Sequence, residues 1–242
     1  MVIVMSKKIK KLLLKISSIL LLSISLLSPT VFGKAGDTSN KTILLDYAHM
    51  DTISDVGASY KGYTEREIVN EITSRVGDKL AQRGFSVVYT RDRNKPITIS
   101  ERQQMAWNTE YDYYISIHAN SSSSGKGTGT EGFYRGKGKQ LTENVCKAIS
   151  SQMGLEYRRV EESPYYNRKI QDSSLIELGF INNEYDLQKL LNEKDKYVDI
   201  IVDAIEQEYN NTIQDKVKVN MGDGTYIYSS YATKDTTMRI VK

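Results

Sequence analysis

Residues 43–49 read Ile-Leu-Leu-Asp-Tyr-Ala-His, and this stretch decides the fold class. The segment from Ile43 to Asp46 is too uniformly apolar for a strand with one face in water, so it predicts a buried parallel strand. A second strand is predicted from Asp112 to His118. His49 and His118 are the only two histidines of the chain. Each lies at or just past the C-terminal end of a predicted strand, where open α/β sheets bind ligands. Because neutral imidazole is the commonest metal ligand, this placement predicts a metal site.

Helical patterns separate further predicted strands along the chain. Thr64 and Glu67 form a capping box that predicts the start of a helix. Alternating strands and helices predict an α/β fold, with a single open, mixed and mostly parallel sheet that has helices on both faces. The other predicted elements are strands at 85–90, 131–134 and 174–177, and helices at 99–107, 138–153, 184–191 and 196–209.

The ends of the chain predict a leader and an appendage. A lysine cluster, an apolar run from Ile16 to Leu27 and small residues near Gly33 predict a signal peptide over residues 1–35. An uncleaved anchor is the alternative, and either way the domain faces outside. Residues 36–41 are a linker and residues 42–212 are the folded domain. Residues 213–242 predict a short C-terminal β-hairpin, because apolar residues alternate on both sides of Gly222-Asp223-Gly224.

Charge and cysteine content restrict the function classes. The net charge is +3, and five lysines lie within the first 15 residues of the leader, so the mature chain is near neutral and nucleic acid is not an expected partner. Cys146 is the only cysteine, which excludes an internal disulfide. Its helical spacing with Leu141, Val145 and Ile149 predicts a half-buried helix residue, with a nucleophile as the alternative.

Two glutamates accompany the histidines. Glu65 lies in the first turn of its helix on the inward-facing side, where it is either a functional carboxylate or a residue that matches the helix dipole. Glu177 follows Leu175 and Ile176 in an apolar run, where a carboxylate is either functional or part of an ion pair. Two histidines and one glutamate suit a catalytic zinc with an open position, and the second glutamate could transfer protons.

Two longer motifs identify a family. They are the segment 115–120, Ile-Ser-Ile-His-Ala-Asn, and the segment 177–183, Glu-Leu-Gly-Phe-Ile-Asn-Asn. With them, the chain from Ile43 to about Tyr209 resembles the zinc-dependent N-acetylmuramoyl-L-alanine amidases of bacterial cell walls. The resemblance implies that His49, Glu65 and His118 bind Zn²⁺ and that Glu177 is the catalytic glutamate.

The resemblance also implies a function for the domain at residues 42–212. It would be a secreted zinc hydrolase, associated with the cell wall, that cleaves the amide bond between N-acetylmuramic acid and L-alanine in peptidoglycan. No stable membrane insertion is expected after signal removal, and protein partners are unknown. The family usually has Pro-Gly before its first histidine and Gly-Gly after it, whereas this chain has Tyr47-Ala48 and Met50-Asp51. This departure keeps open a catalytically weak cell-wall-binding or regulatory module, and a zinc peptidase that cuts within the stem peptide is a third possibility.

Three residues are assigned to substrate binding: Asn120, Arg158 and Arg168. The two arginines lie in residues 156–172, which we interpret as a loop that leads into the strand of Glu177. Arginine pairs with carboxylates, which peptidoglycan stem peptides carry, and tyrosine faces in this segment can stack on sugars. The alternative is a solvated loop whose charges balance internally with Glu161 and Glu162.

Overall fold

The computed structural model describes residues 41–50, 55–163, 170, 172–216, 218–220 and 226–228, with side chains described up to residue 210. The strands are β1 Thr42–Asp46, β2 Ser59–Tyr60, β3 Tyr63–Thr64, β4 Ser86–Tyr89, β5 Tyr113–Asn120, β6 Thr130–Arg135, β7 Tyr157–Glu162, β8 Ser173–Phe180, β9 Lys218–Asn220 and β10 Tyr226–Tyr228. The helices are α1 Glu65–Gln82, α2 Ile99–Asn108, α3 Gly138–Met153, α4 Glu184–Asn192 and α5 Lys194–Lys216.

Six strands form one open sheet in the order β4-β1-β5-β8-β6-β7. The β6–β8 pair is antiparallel and the other four pairs are parallel. Apolar residues on one face of the sheet, such as Ile117 and Ile176, pack in the main core with residues of α1, α3 and α5. On the opposite face, Leu44 and Tyr114 pack with Ala106 of α2. The predicted fold class is therefore confirmed: a mixed, mostly parallel sheet lies between helices.

The start of α1 fixes the position of Glu65. Thr64 has an extended backbone, with φ −113° and ψ 145°, and its hydroxyl accepts a hydrogen bond from the Glu67 amide at 3.3 Å. The same hydroxyl donates to Oε2 of Glu67 at 2.7 Å. The helix therefore begins at Glu65, beside the C-terminal ends of the central strands.

Three predictions about local structure are corrected. Strand β5 runs on to Asn120 and β8 to Phe180, so His118 and Glu177 lie inside their strands and not at the ends. Residues Tyr157–Glu162 form the edge strand β7, not part of a loop. Its residues are mostly exposed and charged, so no two-residue alternation marks it, yet backbone pairing with β6 suffices to form it.

Cys146 is completely buried, not half-buried. It faces Gly132 of β6, where a β-carbon would come within 3.1 Å of the cysteine sulfur. This close approach of α3 to the sheet excludes solvent from the thiol.

Several predictions fall wholly or partly on undescribed residues. Strands β9 and β10 pair in antiparallel fashion, but the intervening residues 221–225 lie outside the description, so the C-terminal hairpin stays a prediction. The predicted leader, residues 1–35, also lies outside it. Among the described residues, no helix has the length and apolar character needed to cross a membrane.

Candidate active site

Three side chains converge at the C-terminal edge of the sheet. His49 follows β1, Glu65 opens α1, and His118 lies on β5. Oε1 of Glu65 lies 2.9 Å from Nε2 of His49 and 3.0 Å from Nδ1 of His118. One potential ligand atom from each of the three residues lies within 4.8 Å of the other two. The structure thus brings together the three residues that the sequence placed at a metal site.

This group fits a zinc ion. With Zn–N and Zn–O bonds of about 2.0–2.2 Å, tetrahedral ligand atoms lie about 3.4 Å apart, which is close to the 2.9 and 3.0 Å that separate Oε1 of Glu65 from the two imidazole nitrogens. Nε2 of His49 is buried, and the atom that lies close to it is Oε1 of Glu65, a second potential ligand. Burial acts to raise the pKa of Glu65, but His118 and His49 outweigh it and hold that pKa far below its usual range. Two imidazoles and an ionised carboxylate form a donor set that zinc prefers.

His49 is held in a left-handed backbone conformation by side chains from elsewhere. Its φ is +59°, which costs about 1–3 kcal/mol for a residue other than glycine. The Arg91 guanidinium donates to the carbonyls of Tyr47, Ala48 and His49 at 3.2, 3.5 and 2.5 Å. Asp55 Oδ1 lies 2.8 Å from Nδ1 of His49, which fixes the ring and points Nε2 towards Glu65. Burial acts to lower the pKa of His49, but the carboxylates of Glu65 and Asp55 raise it overall.

The ring of His118 is oriented through Ser116 and a buried aspartate. Nε2 of His118 lies 3.0 Å from Oγ of Ser116, and that hydroxyl donates to Oδ2 of Asp46 at 2.9 Å. Asp46 also accepts from Arg102 at 2.9 Å and from Thr90 at 2.7 Å. Burial acts to raise the pKa of Asp46, but Arg102 and the hydrogen bonds lower it overall. Because Asp46 stays ionised, Ser116 directs its oxygen lone pairs towards His118, whose Nδ1 then faces Glu65.

Glu177 lies beside this group. It is the register partner of His118 on β5 and of Glu131 on β6, so the three side chains share one face of the sheet. Together with both histidines it lines a cavity of about 260 Å³. Its Oε2 is buried and has no hydrogen-bond partner among the described residues. Burial, and then the negative charges of Glu65 and Glu131, raise the pKa of Glu177 well above its usual range.

The three residues assigned to substrate binding have different outcomes. Asn120 is near Glu177, but its Nδ2 donates to Oε1 of Glu131 at 2.6 Å. Arg158 lies on β7 and donates from Nε to Oε2 of Glu131 at 3.0 Å. Arg168 lies outside the described residues. Their roles in substrate binding stay proposals.

The residues that support the site were not identified from the sequence. Glu131 is buried within a short strand, and a charged residue in a predicted buried strand is a usable signal. The residues around Asp55 in the sequence did not indicate a role for it, because its contact with Nδ1 of His49 exists only in the folded chain. Met50 is half-buried and its amide donates to the Asp55 carbonyl at 2.7 Å; residues 51–54 of this loop are not described.

An α/β sheet with a His–Glu–His group at its C-terminal edge and beside it a glutamate whose buried Oε2 has no hydrogen-bond partner in the described part of the chain defines a candidate metal-dependent hydrolase. The model of the N-acetylmuramoyl-L-alanine amidase family matches residues 43–207. The chain therefore belongs to this family, and the predicted enzyme class, an N-acetylmuramoyl-L-alanine amidase, is confirmed.

Individual relatives agree with the family. The uncharacterized protein YqiI of Bacillus subtilis is 33% identical over 178 residues, which cover 70% of this chain and 85% of YqiI. The N-acetylmuramoyl-L-alanine amidase LytC of the same species is 31% identical over 70% of this chain and 36% of its own length. The solved structure of the amidase AmiC2 of Nostoc punctiforme has a TM-score of 0.62 and 26% identity, and it matches 72% of this chain and 97% of that one.

Proposed function

We propose that this amidase is a secreted, zinc-dependent enzyme that hydrolyses the bond between the lactyl group of N-acetylmuramic acid and L-alanine in peptidoglycan. The family membership supports the bond that is cleaved. The observation that carries the mechanism is that Glu177 lines the same cavity as the two histidines, with a buried Oε2 that no described residue hydrogen-bonds. Secretion rests on the sequence of residues 1–35, and action at the cell wall follows from the substrate.

The metal would be held by Nε2 of His49, a carboxylate oxygen of Glu65 and Nδ1 of His118. A zinc ion in such a site polarises a substrate carbonyl and makes an attacking water more acidic. Asp55 and Ser116 keep the two imidazoles in the tautomers that present Nε2 and Nδ1, respectively. Hydrogen bonds of this kind orient metal ligands and strengthen metal binding.

Glu177 would transfer the proton. Its carboxylate accepts a proton from the water that attacks the lactyl carbonyl carbon. When the carbon–nitrogen bond breaks, Glu177 returns this proton to the nitrogen of L-alanine, which leaves as an amine. The negative charges of Glu65 and Glu131 favour proton uptake by Glu177. General acid–base help of this kind contributes about 10²–10⁴-fold to the rate.

The experiment that tests this function is digestion of purified peptidoglycan by the zinc-loaded protein, with products identified by mass spectrometry. We expect new L-alanine amino termini and intact glycan chains. New reducing ends would indicate a glycosidase, and new amino termini elsewhere in the stem would indicate a peptidase. Binding without any product would favour the weak-turnover module.

A further inference from the structure

A β-bulge places two consecutive arginines on the active-site face of the sheet. The β6–β7 register shifts between Thr130, which pairs with Tyr157, and Glu131, which pairs with Arg159. Arg158 is therefore the additional residue of the bulge. In a regular strand, residues 158 and 159 would point to opposite faces, but a bulge re-aims one of them. Both Nε atoms reach the same oxygen, Oε2 of Glu131, at 3.0 and 3.2 Å.

The buried carboxylate of Glu131 binds both guanidinium groups from the protein side and leaves their outer edges towards solvent. Its side chain is only 5% exposed, whereas those of Arg158 and Arg159 are 35% and 49% exposed. The ring of Phe180 lies 4.9 Å from the Arg158 guanidinium, and the ring of Phe133 lies 5.5 Å from that of Arg159. The buried carboxylate and the two rings fix the orientation of both arginines before any ligand arrives, which reduces the entropic cost of binding.

The two arginines are held by one buried and one exposed carboxylate. Both guanidinium groups share the buried carboxylate of Glu131, whose other hydrogen-bonding partner, Asn120, is neutral. A second carboxylate, that of Glu161, lies 3.5 Å from Nη1 of Arg159, and both of these side chains are about half exposed. Each arginine contacts Glu131 through Nε. Nη1 of Arg158 also donates to the Thr128 carbonyl at 3.3 Å, and no described residue hydrogen-bonds Nη2 of either arginine. The outer edge of the Arg158 guanidinium group can therefore accept an anion. At Arg159 an anion would replace the exposed carboxylate of Glu161, and an exposed pair of this kind contributes little stability.

The cluster of Arg158, Arg159 and Glu131 lies next to the strands that carry Glu177 and His118, where the scissile bond would be placed. Glu131 is the register partner of Glu177, and Glu177 is the register partner of His118. Since neighbouring strands are about 4.8 Å apart, the backbones of both arginines on β7 lie on the order of 10 Å from the strand of Glu177. Their guanidinium groups reach back to Glu131 on β6, which is one strand closer to Glu177. A group held there is one or two residues of stem peptide away from the bond being cut.

We propose that Arg158 and Arg159 form a subsite for the carboxylate of the stem-peptide residue that follows L-alanine. This inference rests on the proposed function and names a chemical preference within its substrate. In stem peptides that residue is a D-glutamate linked through its side chain, so its α-carboxyl group is either a free carboxylate or an amide. The fixed guanidinium pair would select the carboxylate.

The test compares two soluble substrates, N-acetylmuramoyl-L-alanyl-D-isoglutamate and N-acetylmuramoyl-L-alanyl-D-isoglutamine, which differ only at this group. We expect the zinc-loaded protein to have a KM about tenfold lower for the carboxylate, with similar kcat, since charge-assisted hydrogen bonds are lost with the amide. Arg158→Ala and Arg159→Ala should each raise KM for the carboxylate and leave KM for the amide unchanged. Arg93→Ala is the matched control, because Arg93 is exposed and follows β4 at the opposite edge of the sheet.

A purely structural role of the arginines predicts a different pattern. If they only neutralise Glu131, removing either one would alter kcat or stability equally for both substrates. An equal effect on both substrates, or a wild-type protein that does not distinguish them, would overturn the subsite.

Direct binding separates this proposal from the proposed function. Calorimetry with the Glu177→Gln variant measures the dissociation constants of both ligands without turnover. A tenfold preference for the carboxylate that Arg158→Ala abolishes would support the subsite even if peptidoglycan digestion gave no amidase products. Equal dissociation constants would contradict the subsite even if the amidase activity were established.

Discussion

The two histidines of the site reach the same carboxylate oxygen by different means. His118 lies inside β5, between β1 and β8, so the sheet fixes its backbone and only the ring needs orientation, which Ser116 supplies. His49 lies beyond the end of β1 in a left-handed conformation. Arg91 holds its backbone and Asp55 holds its ring.

This difference shows where the site depends on single side chains. The backbone of His118 is held by the pairing of β5 with β8, which includes His118, and by the pairing of β5 with β1, which ends two residues earlier at Ser116; no single side-chain substitution nearby removes these backbone hydrogen bonds. The position of His49 depends on a few contacts, one of them from a residue 42 positions along the chain. We therefore expect the metal site to be more sensitive to changes around His49 than around His118.

The largest effect should follow from removing either histidine itself. His49→Ala and His118→Ala each remove one of three ligands, so zinc affinity should fall by more than the roughly 10–100-fold typical of lost supporting hydrogen bonds. Competition with a chromophoric chelator measures this affinity. If one variant kept wild-type affinity, that histidine would not be a ligand and the comparison would fail.

The next largest effect should come from Asp55. Asp55→Asn keeps the size of the side chain but removes the charge that holds Nδ1 of His49, and we expect zinc affinity to fall about 10–100-fold. Asp92→Asn is a matched control, because Asp92 is exposed and lies after β4. An affinity equal to that of the control would show that the loop positions His49 without Asp55.

Ser116→Ala should have a smaller effect on zinc affinity than Asp55→Asn, about tenfold or less. The reason is that the sheet still fixes the backbone of His118 when the hydroxyl is lost. The same chelator assay applies. If Ser116→Ala lowered zinc affinity more than Asp55→Asn did, the position of His118 would depend more on a single side chain than that of His49, which is the opposite of what we expect.

The smallest effect on the site should come from Cys146, a residue of α3 that packs against Gly132 on the face of the sheet opposite Glu131 and Glu177. Burial raises the pKa of the Cys146 thiol to about 12, so the thiol stays protonated at pH 8 and should label slowly in the folded protein. Cys146→Ala should leave turnover unchanged and lower the free energy of unfolding by about 1–2 kcal/mol. If the Cys146→Ala variant folded normally but lost turnover, the result would support the alternative interpretation of Cys146 as a nucleophile.

Strong local patterns made much of this structure predictable. The apolar run of β1, the Thr64 cap and the helical spacing of α3 each depend on neighbours in sequence, and their elements formed where expected. His49, His118 and Glu177 stood out because they follow, end or interrupt apolar runs, and Glu65 stood out because it lies on the inward-facing side of a capped helix.

The remaining features depend on contacts between distant residues. Strand β7 is charged and mostly exposed, and only pairing with β6 makes it a strand. The bulge at Arg158 and the burial of Glu131 follow from that pairing. The left-handed conformation of His49 requires Arg91 and Asp55, which no spacing rule connects to it.

The most direct test of the account is to measure zinc content and turnover on the same sample of the Glu177→Gln variant. The account assigns metal binding to His49, Glu65 and His118 and proton transfer to Glu177 alone. It therefore predicts one zinc per chain, as in the wild type, and turnover of peptidoglycan lowered by about 10²–10⁴-fold. Turnover near that of the wild type, or loss of zinc from the variant, would contradict it.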